Sequence, residues 1–231
     1  MSRVAAIHQP NFFPWLGYFN KIARADVFVV LDDAQYQKTG SSWSNRVKLL
    51  LAGEARWVTA PIQRPAHGVQ RLDQVEWAVQ PWRDKLLKTV RLQYGRAPFF
   101  TETMDLLEPL VAHPDDRVAA YNLHAIKAIA TALELEAEFV AASSYAVQAS
   151  ATQRLVELVR AAGCDSYLAG GGAGGYQDDA LFSTAGLHLE YQGFAHPEYP
   201  QHGAKFFVPG MSIIDVLMNC GIARTRELVT S

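Results

Sequence analysis

VAAIHQPNFFPWLGYFNKIARADVFVVLDDAQ, residues 4–35, is the stretch whose reading decides the fold. Val4–Ile7 is a short apolar run suited to a buried strand, and His8-Gln9-Pro10-Asn11 breaks it with polar and turn residues. Pro14-Trp15-Leu16-Gly17-Tyr18-Phe19 leads into a helix ending near Arg24. Val27–Leu31 is a second apolar run, rich in β-branched residues, that stops on Asp32-Asp33. Two apolar strands joined by a short helix predict a parallel βαβ unit. Ligands in such sheets sit beyond the carboxyl ends of the strands. His8 and Asp32-Asp33 fall at those two ends, so they are the first candidates for chemistry.

Working outward, Val47–Leu51 and Trp57–Ile62 read as strands, with Pro61 favouring an edge or an end. Val75–Val79 is a further strand candidate. Pro81 suits the first turn of a helix reaching Gly95. Thr101–His113 is helical, with Pro109 expected to break or kink it. A longer helix runs from Pro114-Asp115-Asp116 to Glu136, with Asn122 on its apolar stripe between Val118 and Ile126. Glu138–Ala142, Ser166–Ala169 and Leu187–Tyr191 are strands, separated by helices over Thr152–Ala162 and up to Phe182. Phe194–Gly210 reads as a long surface loop. Ser212 and Asp215 fit a capping box that opens a helix stopping at Gly221. The expected fold is α/β: a Rossmann-like parallel or mixed sheet with flanking helices. It forms a single domain over 1–231, with a small helical lobe at 81–136.

Composition bounds the function. The chain has 231 residues, 49% of them hydrophobic, which is enough for a sizeable core and argues against disorder. A formal net charge of -2 and the lack of a basic stripe argue against nucleic acid as a partner. No apolar run is long enough to span a bilayer, and no secretory signal is expected. Cys164 and Cys220 are too few for a disulfide framework or a metal knuckle, so a reducing cytoplasm is expected.

Each candidate has a functional and a plainer reading. His8 suits a general base, since its ordinary pKa lies near operating pH; otherwise it fixes the turn before Pro10. Asp32 and Asp33 could hold a cation, orient His8 or take a proton, and only one should face the site; otherwise they cap a turn. Gly170, Gly172 and Gly175 match G-x-G-x-x-G after a strand, with Glu190 near the place of a ribose-binding acid. The helix there would be very short, so the segment is expected to border the same cleft, with backbone amides toward an anion, rather than form a dinucleotide site. Trp43, Asn45 and Arg46 join an aromatic to polar groups, and Arg46 could grip a phosphate or carboxylate. Gln9, Asn11, Trp15, Tyr18, Gln35, Asn122, Gly171 and Tyr176 complete the expected substrate-binding set. Tyr199, Gln201 and His202 are weaker candidates for a cleft lining.

HQPNFFPWLGYFNKIARADVFVVLDDAQ, Trp43-Ser44-Asn45-Arg46 and Ser212-Ile213-Ile214-Asp215-Val216-Leu217 together resemble the WbqC-like family of bacterial proteins. The likeness runs from Ile7 to about Gly221. It implies a biosynthetic setting tied to O-antigen and related surface polysaccharides, and acyl or aminoacyl transfer of the glycine type. The expected substrate is a small molecule, with an activated acyl or nucleotide-sugar donor; the residues leave cofactor and metal open. His8 would deprotonate an amine, and Gln9, Asn11 or Asn45 would bind the oxyanion. Two alternatives stand beside this. The strand, histidine turn and helix are also similar to the layout of nucleotidylyl transferases and ATP-dependent ligases, though Asn11 stands where their second histidine would be. A non-catalytic ligand-binding or scaffold protein of a biosynthetic complex is the other.

Overall fold

A computed structural model describes residues 2–36, 43–63, 70–171 and 177–231. Five strands form one all-parallel sheet: β1 (Val4–His8), β2 (Val27–Val30), β5 (Glu138–Ala141), β6 (Ser166–Ala169) and β7 (His188–Tyr191). Their spatial order is β5-β2-β1-β6-β7. Two further strands, β3 (Arg46–Leu51) and β4 (Glu54–Thr59), make a separate antiparallel hairpin. Ala52 and Gly53 between them both carry positive φ, at 51° and 80°, as a tight two-residue hairpin turn requires.

The central strands β2, β1 and β6 are buried on both faces, which is why β1 and β2 read as continuous apolar runs rather than as alternation, while the edge strands β5 and β7 are more exposed. Side chains still alternate between the two sides. Ala6, Phe28, Val30 and Leu168 point into the larger core. That core is shared with α1 (Leu16–Ala23), α2 (Trp82–Tyr94), α3 (Phe100–Ala112), α4 (Val118–Ala132) and α7 (Ile213–Thr230). Ala5, Ile7, Val27, Val29, Tyr167 and Ala169 point the other way, onto α5 (Ala151–Ala161) and α6 (Ala180–Thr184). The result is an α/β sandwich, with the α2–α4 helices packed into the same core as the sheet. Among the described residues no helix is long and apolar enough to cross a membrane.

Counting only the five parallel strands in chain order, the sheet reads 3-2-1-4-5. The chain works outward from β1 in one direction through β2 and β5, then returns to its other side for β6 and β7. The switch point lies between β1 and β6, and their connections leave in opposite directions there.

Several local expectations are corrected. Val75–Val79 is not a strand: a 3₁₀ turn at Leu72–Gln74 precedes it, and only the isolated bridges Ile62–Trp77 and Glu76–Arg117 form. Val75 and Trp77 are buried inside the core, whereas Val79 is exposed. β4 ends at Thr59, before Pro61, which cannot donate to a ladder. Pro109 does not break α3, because it falls in the last turn of the helix, where little of the ladder remains to disrupt. The capping box at Ser212 is half made. Ser212 Oγ accepts from the Ile214 amide, but the Asp215 carboxylate accepts instead from the Tyr94 and Tyr199 hydroxyls at 2.8 and 2.6 Å. That bond draws Tyr199 inward, so the Phe194–Gly210 segment is not wholly a surface loop. Helical structure resumes after Gly221, whose φ of 70° turns the chain between two helical segments. A side chain there would also strike Phe99.

Candidate functional site

The carboxyl end of β1 opens into a cleft of about 680 Å³. It lies at the β1/β6 switch point, where open α/β sheets bind ligands. His8 closes β1, and Gln9 and Asn11 follow it in the turn; all three line the cleft. Tyr18 holds that turn, its hydroxyl donating to the Gln9 carbonyl at 3.0 Å. Asn122 holds it from behind. Its amide nitrogen donates to the carbonyls of Pro10 at 2.9 Å and Ser44 at 2.7 Å, tying the two cleft-forming loops together from within the core.

His8 is half-buried, its ring edge-on to Tyr18 at 4.8 Å and to Trp15 at 6.0 Å between centroids. Nδ1 lies 3.0 Å from the Gln9 carbonyl. A carbonyl can only accept, so Nδ1 carries the hydrogen and Nε2 is the basic nitrogen. Burial, and then the neighbouring Lys21 charge, push the His8 pKa down to about 4, against the smaller opposing pull of the Gln9 carbonyl. The ring is therefore neutral at physiological pH.

Lys21 is the residue the sequence reading missed. It is 3% exposed, lines the cleft, and donates to the Ile7 carbonyl at 2.9 Å. No carboxylate pairs with it among the described residues. Burial alone lowers its pKa to about 7. The signal was present in the spacing: Trp15, Tyr18 and Lys21 recur every third residue along one side of α1. Gln192, Phe194 and His196 were also missed. They follow the carboxyl end of β7 and form the far wall. The strand-end rule extended to the last strand would have reached them. Burial, with Lys48 second, lowers the His196 pKa.

Trp15 and Trp43 form the outer wall, 4.9 Å apart, and Gly170 and Gly171 border the cleft beyond β6. Gly172 and Tyr176 lie outside the described residues. Among the described residues no aspartate or glutamate lines the cleft.

The remaining expected residues sit elsewhere. Asp32 accepts from the Ser143 amide at 3.0 Å and its hydroxyl at 2.5 Å, and Asp33 pairs with Arg154 at 2.5 Å. Both are drawn toward the β5 side of β2, away from β1, because the residues that pair with them follow β5. Asn45 is spent structurally, bonded to the Ala60 carbonyl and the Tyr36 hydroxyl. The Arg46 guanidinium stacks over Trp57 at 4.1 Å on the hairpin. Gln35 is exposed and bridges to Arg71. Glu190 pairs with Arg24. Tyr199 and Gln201 serve Asp215, and the His202 amide donates to Asn219.

A family model described as the WbqC-like protein family matches residues 9–227. The chain belongs to the WbqC-like family. This WbqC-like protein is similar to the uncharacterized protein Rv1507c of Mycobacterium tuberculosis, with 29% identity over 230 residues, covering 96% of this chain and 95% of that one. No solved structure matches it. Nearly every cleft element described above, from Gln9 to His196, falls within the family match. In this WbqC-like chain the cleft can admit a small molecule, hold negative charge, and accept a proton at His8.

Proposed function

We propose that this WbqC-like protein is a group transferase of bacterial surface-polysaccharide or secondary-metabolite biosynthesis. It transfers an acyl or aminoacyl group, of the glycine type, from an activated donor to an amino group of a small molecule or sugar nucleotide. One observation carries the reading: a neutral histidine at the switch-point end of β1, whose basic nitrogen is left open and whose cleft holds no carboxylate among the described residues.

In the proposed step the acceptor nitrogen attacks the acyl carbonyl, and His8 Nε2 takes the proton that the nitrogen loses. The bond from the carbonyl carbon to the donor's leaving group then breaks, and that group departs with the electron pair. The same proton can be returned to it. Asn11 and the backbone of the His8–Asn11 turn lie beside this point, which suits them to the developing oxyanion. The aromatic pair Trp15 and Trp43 would shelter the reacting groups from water.

A second reading is supported by the strand order: nucleotide phosphates bind at switch points in related α/β sheets. An ATP-dependent nucleotidylyl transferase would use the same cleft. Purified protein incubated with acyl thioesters or aminoacyl donors and amine-bearing sugar nucleotides should yield an amide, read by mass spectrometry. Release of pyrophosphate from ATP, without amide formation from preformed donors, would replace the first reading with the second. Binding of these ligands with no turnover of any would reduce the protein to a scaffold.

A further inference from the structure

The deep end of the cleft holds something the base chemistry leaves unused. Lys21 is almost wholly buried, and among the described residues its ammonium has one protein acceptor, the Ile7 carbonyl. A buried ammonium with no counter-charge is costly, and proteins retain one where a ligand supplies the missing charge. The space beside it is kept open. A side chain begun at Gly170 would lie 3.7 Å from Lys21 Nζ, and one at Gly171 would meet nothing within 4 Å. The cleft-lining titratable groups are His8 from β1, Tyr18 from α1 and His196 from the segment after β7, and the Tyr167 ring lies 5.8 Å from the Lys21 ammonium. None is a carboxylate. Arginine's planar fork suits carboxylates, whereas a lysine point charge suits the tetrahedral oxyanion of a phosphoryl group.

We propose that Lys21 anchors a phosphoryl group of the substrate against Gly170 and Gly171, and that its arrival turns His8 into a working base. The second half rests on the His8 reading; the first half stands without it. An empty cleft leaves Lys21 and a protonated His8 to repel each other. A bound dianion neutralises the first and so makes room for a proton on the second. Ligand binding then strengthens His8 as a proton acceptor at the moment the substrate is in place.

Inorganic pyrophosphate, with acetate as the planar control, tests this on the intact protein. Trp15 and Trp43 fluorescence reports occupancy, and the His8 Cε1–H resonance reports its titration. Saturable pyrophosphate binding is expected, at least tenfold tighter than acetate and weakening as pH rises through about 7, where Lys21 loses its proton. Lys21→Met should weaken it at least tenfold, and so should Gly170→Val, which fills the space without touching the charge. Pyrophosphate should raise the His8 midpoint by more than one pH unit in the parent and leave it unmoved in Lys21→Met. Absence of pyrophosphate binding at millimolar concentration, or equal affinity in Lys21→Met, would overturn the subsite. Acetate binding as tightly as pyrophosphate would overturn its phosphoryl character. Lys21-dependent pyrophosphate binding with an unmoved His8 would keep the subsite and remove the coupling, and would count against His8 as base.

Discussion

Two neighbouring strand ends behave in opposite ways. At the end of β2, Asp32 and Asp33 are consumed, the first by both donors of Ser143 and the second by Arg154. At the end of β1, His8 keeps a basic nitrogen and Lys21 keeps an uncompensated charge. The two ends are paired in register, with His8 opposite Val30, so position along the sheet does not separate them. What separates them is where the chain goes next. Beyond β2 it is met by the segment after β5, which packs onto it and satisfies its polar groups. Between β1 and β6 the connections diverge, and nothing in the described chain fills the gap. Polar groups stay available for a ligand where the topology leaves them without neighbours.

The sharpest way to break this comparison is to truncate both ends and compare turnover. His8→Ala should lose on the order of a hundred- to ten-thousand-fold in kcat, as for a positioned base, with little change in melting temperature. Asp32→Ala should keep kcat within a few-fold per folded molecule. Equal losses of kcat at the two ends would erase the distinction. The next effect has the opposite sign to an ordinary core mutation. Lys21→Met, which removes a buried unpaired charge, should stabilise the protein by roughly 1–4 kcal/mol near pH 6, measured by denaturant unfolding. A purely structural lysine would give a loss.

The pH dependence of stability sharpens that point. Lys21 titrates near 7 when folded against an ordinary value of 10.5. Between these the unfolded chain holds the extra proton, so stability should rise with pH across that window, and the gain from Lys21→Met should shrink over it. His8, at about 4 against 6.5, makes the same contribution across the lower window. Parent stability that falls from pH 7 to 9 while Lys21→Met stays flat would contradict the buried-charge account. At the closed end, Asp33→Ala strands the partly buried Arg154 and should cost about 1–3 kcal/mol without changing pyrophosphate affinity. The exposed Arg24–Glu190 pair marks the bottom of the scale: Glu190→Ala should change stability by no more than about 0.5 kcal/mol.

The βαβ unit was legible because a parallel sheet buried on both faces writes itself as unbroken apolar runs, and residues 4–35 carry two of them. His8, Gln9, Asn11, Trp15 and Tyr18 were legible as one cluster because strand end, turn and helix start are contiguous in the chain. Asp32 and Asp33 show the limit. The sequence places them at a strand end, but which neighbouring strand they turn toward depends on strand order, which no local pattern encodes. Lys21 was hidden for a different reason: a lysine on a short helix ordinarily reads as solvated, and only the register of α1 against β1 and β6 buries it. Ser212 and Asp215 matched a capping pattern, yet a distant tyrosine pair outbid the local amide for the carboxylate.

The stitching of the chain's two ends has a consequence for how the molecule is made. Ser212 Oγ donates to the Phe13 carbonyl, the Ile213 amide to the Pro14 carbonyl, and the Asn20 side chain to the Val229 carbonyl. The side-chain pairs are 199 and 209 residues apart, so they cannot meet until the intervening segment has been made. Until then α1 lacks these contacts, and the His8–Asn11 turn is held by Tyr18 and Asn122. Newborn molecules therefore leave the α7-facing side of α1 uncovered until that segment docks, a natural foothold for chaperones. A chain cut short before α7 would lack the contacts that hold Phe13, Pro14 and Asn20 from behind the cleft.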